Sequence, residues 1–293
     1  MKDPIKIFLE DNTFAHCTFS TNPTVQTNFE SPIEWDRSGK YKPQDLVVYT
    51  ENLLHKVNDR EKGSGKNIAW LVESPGVIPY QTQWLYNNGD KFDAIWTHDE
   101  SILNKWDHAI LLPIGGCWLA DEDKGIHPKT KDFSIIASEK KELQGHKLRH
   151  AIIAGSEGRI DVYGSCGGRH LTIDKKITGL KDYRYHFALE NVTTGHYFSE
   201  KLIDAFMTGC IPIYWGAKYI DLYFNTDGMI IFNELKELPE LLKQCTKEFY
   251  ESKMDIIKEN YELAKKYRLA EDRIPDILSS YEDFNNRWNW LCR

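Results

Sequence analysis

Ten short, nearly continuous apolar runs recur along the 293-residue chain, and no other feature restricts its fold as strongly. They are IKIFLED, DLVVYTENL, NIAWLVES, FDAIWTHD and AILLPIG, followed by DFSIIAS, RIDVYGS, YHFALEN, IPIYWG and MIIFNEL. A strand with one wet face alternates apolar and polar residues, whereas a run that is apolar throughout fits a strand covered on both faces. The chain therefore reads as α/β, with mostly parallel sheets and helices between the strands. Its length exceeds the usual single-domain size, so two domains are expected. The polar stretch CWLADEDKGIHPKTKD, residues 117–132, separates the two series of runs. This divides the chain into residues 1–125, residues 126–275 and a C-terminal helix, 276–293, that packs back on the first domain. There Trp288 and Trp290 would pin the helix down.

Charge and cysteine usage narrow the function. A net charge of -7 argues against a general nucleic-acid binder. The balance is local, however: residues 145–220 carry ten Lys or Arg against seven Asp or Glu, and five of the ten histidines. A basic segment in an acidic chain suits a small anionic ligand. The apolar runs fall well short of the roughly 20 residues needed to cross a bilayer, and MKDPIKIFLEDNTF lacks the features of a signal peptide. Six dispersed cysteines, at 17, 117, 166, 210, 245 and 292, form no CxxC pair. Reduced thiols in a cytoplasmic compartment are expected.

In a doubly wound sheet, ligands bind beyond the carboxyl ends of strands. Two stretches meet that condition best. In the elbow that follows YHFAL, Ser199 caps a helix through EKLIDAFMT that Gly209 ends. The amides of that helix start, with Lys201 and a second cation, would cradle a diphosphate. Like charge keeps Glu200 off the phosphates and turns it toward ribose or sugar hydroxyls. The bland alternative is that Ser199 and Glu200 are ordinary first-turn residues. The second stretch is WLVESPG, where Glu73 either takes a proton from an acceptor hydroxyl or simply ends a strand.

Several segments together, WLVESPG, LLPIGG, RIDVYGSCG and above all YHFALENVTTGHYFSEKLIDAFMTGCIPIYWGA, resemble the α-1,3/4-fucosyltransferases of glycosyltransferase family 10, over about residues 66–235. The resemblance implies a GT-B fold: two Rossmann-like domains face a cleft, and the second holds GDP-fucose. It also implies an inverting transfer of fucose to a glycan hydroxyl with no essential metal. Carried over by position, Glu73 matches the family's general base, Glu200 its ribose or sugar contact, and Lys201 and Tyr197 its diphosphate-side contacts. Asn191 falls on the Asn of the signature. Arg149 is similar in position to a diphosphate-binding arginine, and Ser199 stands where a Thr is usual.

Two rival readings come from other residues. Asp121 and Asp123 have the spacing with which a GT-A-like, metal-dependent transferase holds its donor, although they lie in the polar linker. A glycan-binding protein on a degenerate transferase scaffold is the other. His146 and His150 share a helix face at ligand spacing but lack a third ligand.

Overall fold

The computed structural model describes residues 3–14, 30–61, 63, 65–167 and 173–285. Cys17, Cys292, Trp288 and Trp290 lie outside these residues.

The apolar runs form two sheets, and every pairing in both is parallel. The first contains β1 (Ile5–Glu10), β2 (Ile33–Asp36), β3 (Val47–Thr50), β4 (Asn67–Trp70), β5 (Ala94–Thr97) and β6 (Ala109–Leu111), in the order β2-β1-β3-β4-β5-β6. The second contains β7 (Lys131–Ile136), β8 (Asp161–Tyr163), β9 (Tyr183–Leu189), β10 (Ile211–Trp215) and β11 (Ile230–Ile231), in the order β11-β10-β9-β7-β8. The edge strand β2 is the one strand absent from the sequence expectation. Its four residues, IEWD, place Glu34 between Ile33 and Trp35 and Asp36 after them, so no continuous apolar run marks it.

Burial explains why the other runs are apolar throughout. Side chains alternate across a strand, and here both sides are dry. Val47, Tyr49, Ala69 and Leu71 enter one core of the first sheet, while Val48, Ile68 and Trp70 enter the other. In β9, Tyr185, Phe187 and Leu189 pack on one face of the second sheet and Ala188 on the opposite face.

Helices α1 (Pro79–Asn88) and α2 (Glu100–Lys105) serve the first sheet, and α3 (Gln144–Gly155) and α4 (Glu200–Phe206) serve the second. The stretch read as a polar linker is anchored at its start: Cys117 and Leu119 are buried against α4, and the Trp118 amide donates to Asp204 Oδ1 at 2.9 Å. Beyond β11 run α5 (Leu238–Leu241), α6 (Lys247–Ser252), α7 (Met254–Lys265) and α8 (Ile274–Asn285). After α7 the chain returns to the first sheet, where Ala270, Ile274 and Leu278 join Ile7, Leu9 and Trp70 in one core. The Trp35 indole donates to Glu271 Oε1 at 3.1 Å in the same region. Among the described residues no helix is long and apolar enough to cross a membrane, and Cys117, Cys166, Cys210 and Cys245 are free thiols.

Candidate active site

The strand order of the second sheet reverses between β7 and β9, and a crevice opens at such a switch point. A cavity of about 350 Å³ lies there, lined by Ile136 and Ser138 at the end of β7, Leu189 and Asn191 at the end of β9, and Arg149, Glu200 and Lys201. The start of α3 reaches it because residue 145 is glycine: a Cβ there would sit 1.8 Å from the Glu190 carbonyl oxygen. The Gly145 amide donates to the Asn191 carbonyl at 2.9 Å. One turn on, the buried Arg149 guanidinium donates to the Leu189 carbonyl and, at 3.4 Å, to Asn191 Oδ1.

The elbow brings the remaining charges in. Helix α4 is shorter than expected, ending at Phe206 with Met207 as its C-cap, and Gly209, at φ +74, follows in the turn. The fully buried Glu190 sits beside the start of that helix: its carboxylate accepts from the Ser199 amide at 2.8 Å and from the Ser199 hydroxyl at 2.7 Å. The Ser199 hydroxyl in turn caps the Lys201 amide. What faces the cavity is the side chain of Lys201, whose Nζ lies 3.1 Å from Glu200 Oε1 and 3.8 Å from Glu190 Oε2. Burial disfavours charge on Lys201, but Glu200 and Glu190 outweigh that and raise its pKa. Burial likewise opposes ionisation of Glu200, yet Lys201 and Lys176 hold its carboxyl down to about 2.

Sequence reasoning did not find Lys176, Asp204 or Trp118. Lys176 Nζ lies 2.5 Å from Asp204 Oδ2, 3.9 Å from Glu200 Oε1 and 4.8 Å from the centre of the Trp118 ring. Asp204 could have been read from its place one helical turn after Glu200, whereas Lys176, in a short polar segment, carries no local signal. The lining thus holds four cations, Lys140, Arg149, Lys176 and Lys201, against two carboxylates, Glu200 and Asp204. Burial lowers the pKa of both lining histidines, His146 and His186, so they add no positive charge at neutral pH. The cavity can therefore hold a small polyanion through fixed charges.

Glu73 stands apart from that lining, at the end of β4. Its backbone amide donates to Glu51 Oε1 at 3.0 Å and its carbonyl meets His98 Nε2 at 3.1 Å. Its carboxylate accepts from the Tyr197 hydroxyl at 3.4 Å. Burial raises the Glu73 pKa, with Lys201 opposing and Glu200 adding to the shift. Tyr197 belongs to the donor-side elbow by sequence, yet its ring is buried in the core of the first sheet, 4.8 Å from His98. Its hydroxyl thus meets Glu73, and it is not among the lining residues of the cavity.

The remaining candidates are apart. Asp121 and Asp123 sit in an exposed turn, where Asp121 pairs with Lys124. His146 accepts from the Leu143 amide at 3.3 Å, while His150 meets the Lys140 carbonyl at 3.0 Å, so the pair does not converge. Among the described residues no three His, Cys, Asp or Glu side chains group closely enough to hold a metal ion.

Two parallel-stranded α/β halves, with a cationic cavity at the switch point of the second, have the GT-B architecture. Solved structures of similar fold include an α1,3-fucosyltransferase (TM-score 0.60, 16% identity, 97% of this chain and 92% of that one) and an α1,3-fucosyltransferase with GDP (TM-score 0.56, 16% identity, 92% of each chain). A trehalose-6-phosphate synthase shares the fold at 10% identity (TM-score 0.54, 83% of this chain and 73% of that one). At these identities the likeness is one of fold. Residues 126–270 match the model of glycosyltransferase family 10 (fucosyltransferase), C-terminal part, so this part of the chain is a family 10 domain. Curated relatives are an alpha-(1,3)-fucosyltransferase of Helicobacter pylori, 32% identical over 70 residues, and a putative fucosyltransferase of Acanthamoeba polyphaga mimivirus, 24% identical over 131 residues. These stretches span 24% and 40% of this chain, but only 15% and 21% of the relatives.

Proposed function

We propose that the chain is an inverting fucosyltransferase that moves fucose from GDP-fucose to a hydroxyl of a glycan. The observation that carries this reading is the cavity at the switch point of a family 10 domain, where Arg149, Asn191, Glu200 and Lys201 converge. In this account residues 126–275 bind the donor, residues 1–125 face the acceptor, and the helix from 276 steadies the first domain.

Arg149 and Lys201, supported by Lys176 and Lys140, stabilise the negative charge that develops on the departing GDP, as preorganised cations do. Glu200, held ionised, is directed at ribose or sugar hydroxyls rather than at the diphosphate. Glu73 accepts the acceptor's proton as its oxygen attacks the anomeric carbon from the face opposite the nucleotide. Its raised pKa suits a group that must hold a proton briefly. Tyr197 serves the base from the donor side through its hydroxyl bond to Glu73. One displacement inverts the anomeric configuration, and fixed cations make a metal dispensable. Free buried thiols at Cys117, Cys210 and Cys245 fit a reducing, cytoplasm-like compartment.

Parallel titrations of GDP and UDP, each with and without EDTA, test the donor half. Preference for GDP that survives the chelator is expected. Preference for UDP, or binding abolished by EDTA, would replace this reading with a metal-dependent transferase.

A further inference from the structure

The loop that presents Glu73 is held from beneath by a carboxyl group that the proposed chemistry does not use. β3 and β4 are neighbours in register, Thr50 opposite Trp70, so the residues that leave these strands emerge side by side. Glu51 is the first residue after β3. Its Oε1 accepts the backbone amides of Val72 at 2.8 Å and of Glu73 at 3.0 Å. To do so it takes φ +43, one of two non-glycine residues with positive φ among those described. That backbone region is unfavourable for a side chain other than glycine, and such strain persists where surrounding contacts enforce it.

Glu51 is 1% exposed, so it cannot itself touch an acceptor. We infer that Glu51 is a positioning residue for Glu73, fixing the peptide that carries the base through two hydrogen bonds to one oxygen. The inference rests on the reading of Glu73 as the base. His98 completes the hold from the other side, through the Glu73 carbonyl. Between them the peptide flanking Glu73 is tied at both its amide and its carbonyl, leaving only the side chain to move.

Burial pushes the Glu51 carboxyl up to about 8 against the pull of the Glu73 and Val72 amides, and the nearby Glu73 and Asp11 carboxylates push the same way. Two amide donors on a single oxygen suit a carbonyl, which a carboxylic acid and a carboxamide both possess. A glutamine should therefore replace Glu51, whereas a residue without the reach should not.

The test measures GDP release from GDP-fucose, with water as the acceptor, alongside the GDP dissociation constant. Glu51→Gln should release GDP within about threefold of the native rate. Glu51→Gly removes the carboxyl and tolerates the left-handed backbone. It should slow release by roughly 10- to 100-fold, the scale of a misplaced catalytic group, with GDP affinity unchanged. Should the glycine variant fail to fold, Glu51→Asn serves in its place: it also favours positive φ but is one methylene too short, and it should be slowed similarly. Native turnover in the folded Gly or Asn variant overturns the inference, and so does equal loss in Gln and Gly. Glu73→Gln run beside them separates the two claims. If it turns over at the native rate, the base assignment falls and the role of Glu51 with it; if it is slow while Glu51→Gly is not, only the role of Glu51 falls.

Discussion

Replacing Lys201 with alanine tests the diphosphate cradle through a side chain whose surroundings limit the size of the effect. The Lys201 ammonium is 3.0 Å from the Ser199 hydroxyl and 3.1 Å from Glu200 Oε1, with Glu190 Oε2 at 3.8 Å. Two unit charges about 4 Å apart at an effective dielectric of 20 interact by about 4 kcal/mol, but Lys201 is already shared between two carboxylates and brings less than a free cation would. The lower part of the range for hydrogen bonds to charged groups, about 1.5–2 kcal/mol, is therefore appropriate. This corresponds to roughly 10- to 30-fold weaker GDP binding. Removing the cation also frees Glu200 and Glu190 to repel the phosphates, so a loss well below tenfold is not expected. Isothermal titration of GDP into the native chain, Lys201→Ala and Lys201→Met makes the comparison. Affinity within twofold of native in both variants would show that Lys201 does not face the bound diphosphate and would refute the reasoning.

Glu73→Gln should lower turnover by roughly 10²- to 10⁴-fold, the usual worth of a positioned general base, with GDP affinity nearly unchanged in calorimetry. The depressed Glu200 carboxyl gives stability that is fully present above its ordinary value of 4.5 and is lost as pH falls through about 2; acid unfolding followed by circular dichroism should show this loss in the native chain and less of it in Glu200→Gln. Glu51 has the opposite sign, because its folded pKa of about 8 lies above the ordinary 4.5. Its neutral form favours the fold, so native stability should decline as pH rises from about 5 to 8, and denaturant melts of Glu51→Gln should lack that decline. Gly145→Ala would press a methyl group onto the Glu190 carbonyl. It should destabilise by about 1–3 kcal/mol and weaken GDP binding through displacement of Arg149, both readable from melting with and without GDP.

The sheets were legible because burying both faces of a parallel strand leaves a continuous apolar run, as in VVYT of β3 and IPIYW of β10. The edge strand β2 escaped because its outward positions carry charge. Within the cavity, local chemistry reached Lys201 and Glu200, which follow a visible cap, and the family resemblance reached Arg149 and Asn191. Neither pointed to Glu190. Its buried carboxylate sits beside the helix start, and only the approach of β9 to the start of α4 reveals it. Lys176 and Glu51 were missed for a related reason. Each acts on a group far away in sequence, Asp204 and the Glu73 amide respectively, so nothing beside it in the chain signals the contact. Tyr197 shows the limit of position-by-position transfer: the motif placed it with the donor, while its ring is buried in the core of the first sheet and its hydroxyl meets Glu73.

The central claim is that fixed cations and one carboxylate transfer fucose from GDP-fucose by a single displacement. Incubating the chain with GDP-fucose, with and without EDTA, and following both released GDP and the first-formed sugar by NMR tests that claim most directly. The account predicts GDP release undiminished by the chelator, and a sugar whose anomeric configuration is opposite to that of the donor. Retained configuration, or release that requires a divalent metal, would contradict it.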